Sequence, residues 1–339
     1  SHDGLPALAT CRAGRESGGI AALAPGQWPR ADACRPDVVK QAADGSGARA
    51  SSGAAPATEP GSPRQLAWLY APAEARDDVA ALLELEAEIG HGARPGIEHT
   101  VAHARLAWWL EELAGIASGG GRHPLARRLL ESFSRAGLSP PDLRGLGVIA
   151  QLDLACAAFE TEQEYSSYLN DWSRGLFRNI ALRLCPALDA RAALEAFVGL
   201  AGPALRDLEL IARLADDARL GRLHVVLDSK AAADPAIVSA WQRQPWPADA
   251  CEALRDRIAS RRGELCRAAA MLPPPMRSPL RPLLAWCALA CELADRAQAA
   301  LPLQYHAGRL TPLRAAWTAW RAALAASRGR LPQPLEENG

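Results

Sequence analysis

Residues 104–113 read Ala-Arg-Leu-Ala-Trp-Trp-Leu-Glu-Glu-Leu. Ala, Leu, Arg and Glu are the strongest helix formers, and the run lies in a helix expected from about Ile97 to Ile116. The acidic Glu98 opens that helix, and Ser118 with three glycines, Gly119 to Gly121, closes it. Adjacent tryptophans on a helix point about 100° apart, so at most one of Trp108 and Trp109 faces a given cavity, and core packing explains both. Arg105 and Glu112 stand seven positions apart on one face and are expected to reach a polar cleft.

Working outward, the same composition extends from Arg64 to about Ser327. Val79, Leu82, Leu83 and Glu86 step at helical spacing, with Glu84 and Glu88 stacked on a neighbouring face. Further helices are expected from Pro124 to near Gly137, from Asp142 towards Phe159, and from Gln163 to Cys185. In the stretch from Arg191 to Arg219, Gly199, Gly202 and Pro203 predict a kink or break. The segment from Arg222 to Leu227 is the one strand-like run. Three more helices follow at about 248–271, 278–300 and 310–326. No βαβ alternation occurs, which excludes Rossmann and barrel folds. The fold class is therefore all-α, a bundle of about ten helices over residues 64–330. Residues 1–63, rich in Ala, Gly, Ser and Pro, read as a disordered tail, as do residues 331–339.

Composition narrows the function classes. The chain has 339 residues, 49% hydrophobic and 22% charged, enough to bury a sizeable core. Lys+Arg and Asp+Glu both count 38, so no global field draws it to nucleic acid. The longest apolar run, Leu283 to Cys291, falls far short of the ~20 residues of a membrane span, so any membrane contact is expected to be peripheral. The eight cysteines form no Cys-x-x-Cys, most lie among Ala and Leu, and they suit a reducing, cytoplasmic setting.

Short motifs give little chemistry. Gly119 to Gly121 is a helix stop, because no Gly-Lys-Ser/Thr follows, and no Gly-x-Ser-x-Gly elbow is present. His99 and His103, one turn apart, lack the third ligand a zinc site needs and read as surface histidines. Asp216-Asp217-Ala-Arg219-Leu-Gly-Arg222 is either a solvated helix end or a site for a charged group, since carboxylates hold Mg²⁺ and arginines hold phosphate.

Taken in order, these pieces resemble the squalene/phytoene synthase family, all-α enzymes that join two isoprenoid diphosphates head to head. The likeness covers about residues 66–325. Residues Ala81 to Ile89 look like the first substrate helix, and Arg105 to Leu113 followed by His123-Pro-Leu-Ala-Arg127 looks like the most recognisable helix pair. The stretch Tyr165 to Arg178 is similar to the tyrosine-bearing helix, with Tyr168 at the family's tyrosine. Asp217 to Val225 resembles the segment after the second acidic motif, and Arg309 to Trp317 the last helix. The resemblance implies an isoprenoid-synthase-like bundle around a central cavity. It also implies a prenyl diphosphate as ligand, held by Mg²⁺ between two Asp-rich motifs. Candidate diphosphate contacts are then Arg94, Arg105, Tyr168, Arg213, Arg219 and Arg222, with Asp216, Asp217, Glu84 and Glu88 as residual metal ligands.

The chain departs from that pattern where the metals would sit. Gly90, His91 and Arg94 occupy the places of the first motif, and Arg213 replaces the leading carboxylate of the second. Asp207 is too far along the chain to substitute for it. Each unit interaction at ~4 Å is worth about 4 kcal/mol at an effective dielectric of ~20, so replacing four carboxylates, two of them by arginine, should abolish Mg²⁺-dependent condensation. Two readings follow: a scaffold, assembly factor or partner subunit with a protein partner and no cofactor, or a binder or transferase in which Arg94 and Arg213 clamp a prenyl diphosphate directly. A eukaryotic branch of the superfamily involved in respiratory complex I assembly resembles the chain in lacking the Asp-rich motifs. Bulky Trp172, Phe197 and Leu200 filling the cavity would favour the scaffold.

Overall fold

The structure is a computed structural model that describes residues 61–91, 98–155, 159, 161–187, 189–219, 245–301 and 310–336. The described chain is helical. In order come α1 (Pro63–Trp68), α2 (Ala73–His91), α3 (His99–Ala117), α4 (Pro124–Arg135), α5 (Arg144–Leu154) and α6 (Glu162–Trp172). A π-helical turn (Ser173–Phe177) leads into α7 (Arg178–Leu184), then α8 (Arg191–Arg219), α9 (Ala248–Met271), α10 (Pro274–Arg277), α11 (Arg281–Ala300) and α12 (Pro312–Ser327). A 3-10 turn, Gln333–Leu335, follows. The strand-like run at Arg222 to Leu227 lies outside the described residues. Among the described residues no helix is long and apolar enough to cross a membrane.

Local chemistry sets the helix ends. Ser62 Oγ accepts from Gln65 N–H at 3.3 Å and Thr161 Oγ1 from Glu164 N–H at 3.2 Å, each satisfying a donor the first turn leaves open. Pro63, Pro124 and Pro312 open α1, α4 and α12, where the missing N–H costs nothing. After α3 the chain turns at Gly119, whose φ of +84° is strained for any residue with a Cβ, so the glycine run stops the helix as its sequence predicts.

Helix α8 is the axis of the bundle, packed against α6, α7, α9 and α11. Helix α2 lies against α4, α5 and α7, while α1 and α12 cover α11. The expected break in α8 does not occur: all 29 residues are one helix with Pro203 inside it. Pro203 denies Gly199 its helical donor, at about 3 kcal/mol. Burial of Val198, Ala201, Ala204 and Leu205 in the flanking turns outweighs that cost. Gly202 serves proximity instead, because a Cβ there would stand 2.0 Å from Ser173 Oγ in the π turn. The helix expected over Gln163 to Cys185 is interrupted by that π turn, which seats Gly175 against Leu146 of α5.

The tail expected from residue 331 starts too early. Leu335 is fully buried, and the 3-10 turn packs on α9 and α11, because Leu331, Pro332 and Leu335 supply apolar area that the polar composition of the last residues hides.

Candidate functional site: an ion-paired interior

Helix α2 places Glu86 on its inward face, in register with Val79, Leu82 and Leu83. Helix α8 places Glu209 opposite. Between them stands Arg64, from the first turn of α1, paired with both carboxylates. Arg64 meets Glu209 with two prongs, Nη2 to Oε2 at 2.7 Å and Nε to Oε1 at 3.2 Å, the planar fork arrangement that suits carboxylates. Two indoles complete the shell. Trp172 Nε1 donates to Glu86 Oε1 at 2.8 Å, and Trp286 Nε1 donates to Glu209 Oε1 at 3.0 Å. The Arg64 guanidinium also lies 5.6 Å and 5.2 Å from the two indole centroids, within cation–π range.

Arg206 extends the network. Its Nη1 donates to Glu209 at 3.4 Å and its Nη2 to the Tyr168 hydroxyl at 3.3 Å, while that hydroxyl donates to Asp153 at 3.2 Å. Burial, countered by Arg206, pushes Tyr168 up to about 12. Burial also pulls Glu209 upward, yet Arg64, Arg206 and the Trp286 N–H outweigh it and hold the carboxyl below its usual range. Opposite charges thus face one another across the network, the condition under which burying them is tolerable, although Arg206 Nε is buried without a hydrogen-bond partner.

A second cluster surrounds Asp207, which is fully buried. It accepts from Tyr165 Oη at 2.7 Å, Arg257 Nε at 2.8 Å and Arg261 Nε at 2.7 Å, tying α6 and α9 to α8. Asp207 therefore does structural work between helices and does not replace a metal-binding carboxylate.

The described residues singled out in the sequence make the following contacts. Glu84 is half-buried and raised by burial, with Arg128 opposing and Glu88 adding to the rise. Glu88 lies 3.9 Å from His123 Nε2. His91 is exposed, its Nδ1 2.9 Å from the Ala87 carbonyl oxygen. Arg105 is exposed, whereas Glu112 is buried and accepts the backbone N–H groups of Arg122 and His123 at 2.6 Å and 2.7 Å. The polar cleft expected to join Arg105 and Glu112 is absent: Glu112 ties down the entry to α4. Tyr168 is buried in the network just described rather than presented to a ligand cavity. Arg213 is exposed and 4.0 Å from Asp217, one turn on, with Asp216 exposed beside it. Arg219 closes α8, and Arg94 and Arg222 lie outside the described residues. His99 and His103 are exposed and in edge contact with each other.

Among the described residues, the side chains present do not fit the Mg²⁺ that the family resemblance implies. Among the described residues no group of three or more His, Cys, Asp or Glu side chains could hold a metal ion. The carboxylates that do converge, Glu86 and Glu209, have their oxygens taken by Arg64, Trp172 and Trp286. The sequence carried one signal of this site: Glu86 falls within the apolar stripe of α2, where a carboxylate needs a buried partner. Nothing local marks Arg64, Glu209 and Trp286 as its companions.

An all-α bundle with a tyrosine-bearing helix and a Trp-Trp helix defines the class. A family model for squalene/phytoene synthase matches residues 58–321, and the chain belongs to that family. No curated protein matches it.

Proposed function

We propose that this chain is a squalene/phytoene synthase family member that has given up Mg²⁺-dependent condensation and serves as a helical scaffold, assembly factor or partner subunit. The observation that carries this reading is the interior itself. Where a substrate cavity is expected, Arg64 bridges Glu86 and Glu209 between the indoles of Trp172 and Trp286. Phe177 and Phe197 pack behind them, fully buried. The space left beside Arg64, Trp68, Leu83 and Trp286 is about 10 Å³, barely room for one water. A cleft of about 180 Å³ between Leu169, Leu200, Pro203 and Arg261 is below the ~300 Å³ at which small-molecule pockets begin. The replacements at Gly90, His91 and Arg213 support the same reading.

A second reading, direct clamping of a prenyl diphosphate, draws support from the exposure and loose pairing of Arg213. One experiment separates the two. The protein is incubated with farnesyl or geranylgeranyl diphosphate, with and without Mg²⁺, and products and calorimetric binding are measured. The scaffold reading expects neither product nor binding, and a co-purifying protein. Mg²⁺-dependent squalene or phytoene overturns it. Binding without turnover, weakened in Arg213→Asp, supports the clamp.

A further inference from the structure

Helix α12 has two contrasting faces. Ala315, Ala319, Ala322 and Ala326 are buried, and this face packs on α11. On the other side Leu313, Trp317 and Trp320 are 82%, 56% and 45% exposed. These three stand at i, i+4 and i+7, which places them in one stripe. Leu324, partly exposed, continues that stripe one turn on. The two indoles lie with centroids 5.0 Å apart, forming one aromatic plate.

A cationic row runs beside the stripe. Arg314, Arg321 and Arg328 recur every seventh residue, about 70° round the helix from the tryptophans. Between Leu310 and Leu335 there are four arginines, at 314, 321, 328 and 330, and no Asp or Glu. Arg314 pairs with Glu292 of α11 and Arg321 bonds to Gln333, so both are held at the flank rather than folded over the indoles. Arg328 is exposed.

We propose that the outer face of α12 docks on an anionic lipid bilayer, with Trp317 and Trp320 at the headgroup boundary and Arg321 and Arg328 against lipid phosphates. Charge complementarity selects this occupant. A second copy of the chain meeting this face symmetrically would set one arginine row against another, with no carboxylate on α12 to separate them. A helix offering large amphipathic rings and guanidiniums side by side on its exposed face is the arrangement that lies in a membrane interface. The inference is independent of whether the bundle interior binds or turns over a diphosphate, because its readout is vesicle binding alone.

The test is flotation of the full chain with vesicles of phosphatidylcholine and of phosphatidylcholine mixed with phosphatidylglycerol. Binding is expected to the anionic vesicles and to weaken as salt rises. It should be lost in Trp317→Ser/Trp320→Ser and fall roughly fivefold for each of Arg321→Gln and Arg328→Gln. All four side chains are exposed, so circular dichroism should show helix content unchanged. Should the tryptophan variant fail to fold, Arg321→Glu/Arg328→Glu carries the test, and undiminished binding in it overturns the proposal. Absence of flotation, or flotation unaffected by the tryptophan substitutions, overturns it. So does a concentration-dependent dimer that the tryptophan substitutions dissolve while the wild type ignores vesicles.

Discussion

Arg64 and Glu209 are 145 positions apart in sequence, yet their side chains form a two-pronged pair at 2.7 Å and 3.2 Å in the centre of the bundle. Glu86 shares the same guanidinium, so one arginine on a six-residue helix joins α2 to α8.

Removing that arginine strands two carboxylates. Arg64→Ala is expected to cost about 3–5 kcal/mol, the usual result of breaking a buried pair from one side. Urea denaturation measures this. A triple change of Arg64, Glu86 and Glu209 to apolar residues of similar size should be much milder. If Arg64→Ala leaves the midpoint unchanged, the pairing contributes nothing to stability.

The pH dependence follows from the depressed Glu209 carboxyl. A group lowered in the folded state adds stability above its unfolded value, near 4.5, and that stability is lost as pH falls through the folded value. Glu84, Asp171 and Asp295, raised by burial, act in the opposite sense. Comparing wild type with Glu209→Gln isolates one group, and the variant's stability should decline less steeply below about pH 4.5. Parallel curves would contradict the assignment.

Packing between α8 and the π turn is tightest at Gly202, where an added Cβ meets Ser173 Oγ at 2.0 Å and Ser173 Cβ at 2.7 Å. Gly202→Ala should lower stability by about 1–3 kcal/mol or more through overpacking. Adding Ser173→Gly should recover part of the thermal midpoint, whereas the same change in wild-type background should only destabilise.

Glu112 holds the approach to α4 through two backbone N–H groups. Glu112→Ala should cost on the order of 2 kcal/mol and speed hydrogen exchange at the amides of Arg122 and His123. Burial lowers the His123 imidazole, with Glu88 and Glu112 pulling it back up. The variant should therefore show His123 titrating at still lower pH by NMR.

Helix existence was legible because it rests on short-range chemistry. Pro124 opens a helix where expected, Gly119 ends one, and the predicted span at 248–271 coincides with Ala248–Met271. Pro203 does not break α8 because its penalty is local and modest, whereas the burial that opposes it comes from α6, α7, α9 and α11 together. The partners of the Tyr168 hydroxyl, Asp153 and Arg206, come from other helices and are not legible at its position in the sequence. Asp207 is excluded as a displaced ligand by its place in the sequence, but its partners Arg257 and Arg261, some fifty residues further along, are visible only in the fold.

By itself the sequence determined the all-α class and the family, because helix period and residue order need no knowledge of distant neighbours. Only the tertiary structure decided what occupies the centre. Arg64, Glu86, Trp172, Glu209 and Trp286 converge from five separate elements, and a pairing across such distances depends on how the helices pack, which no local periodicity encodes.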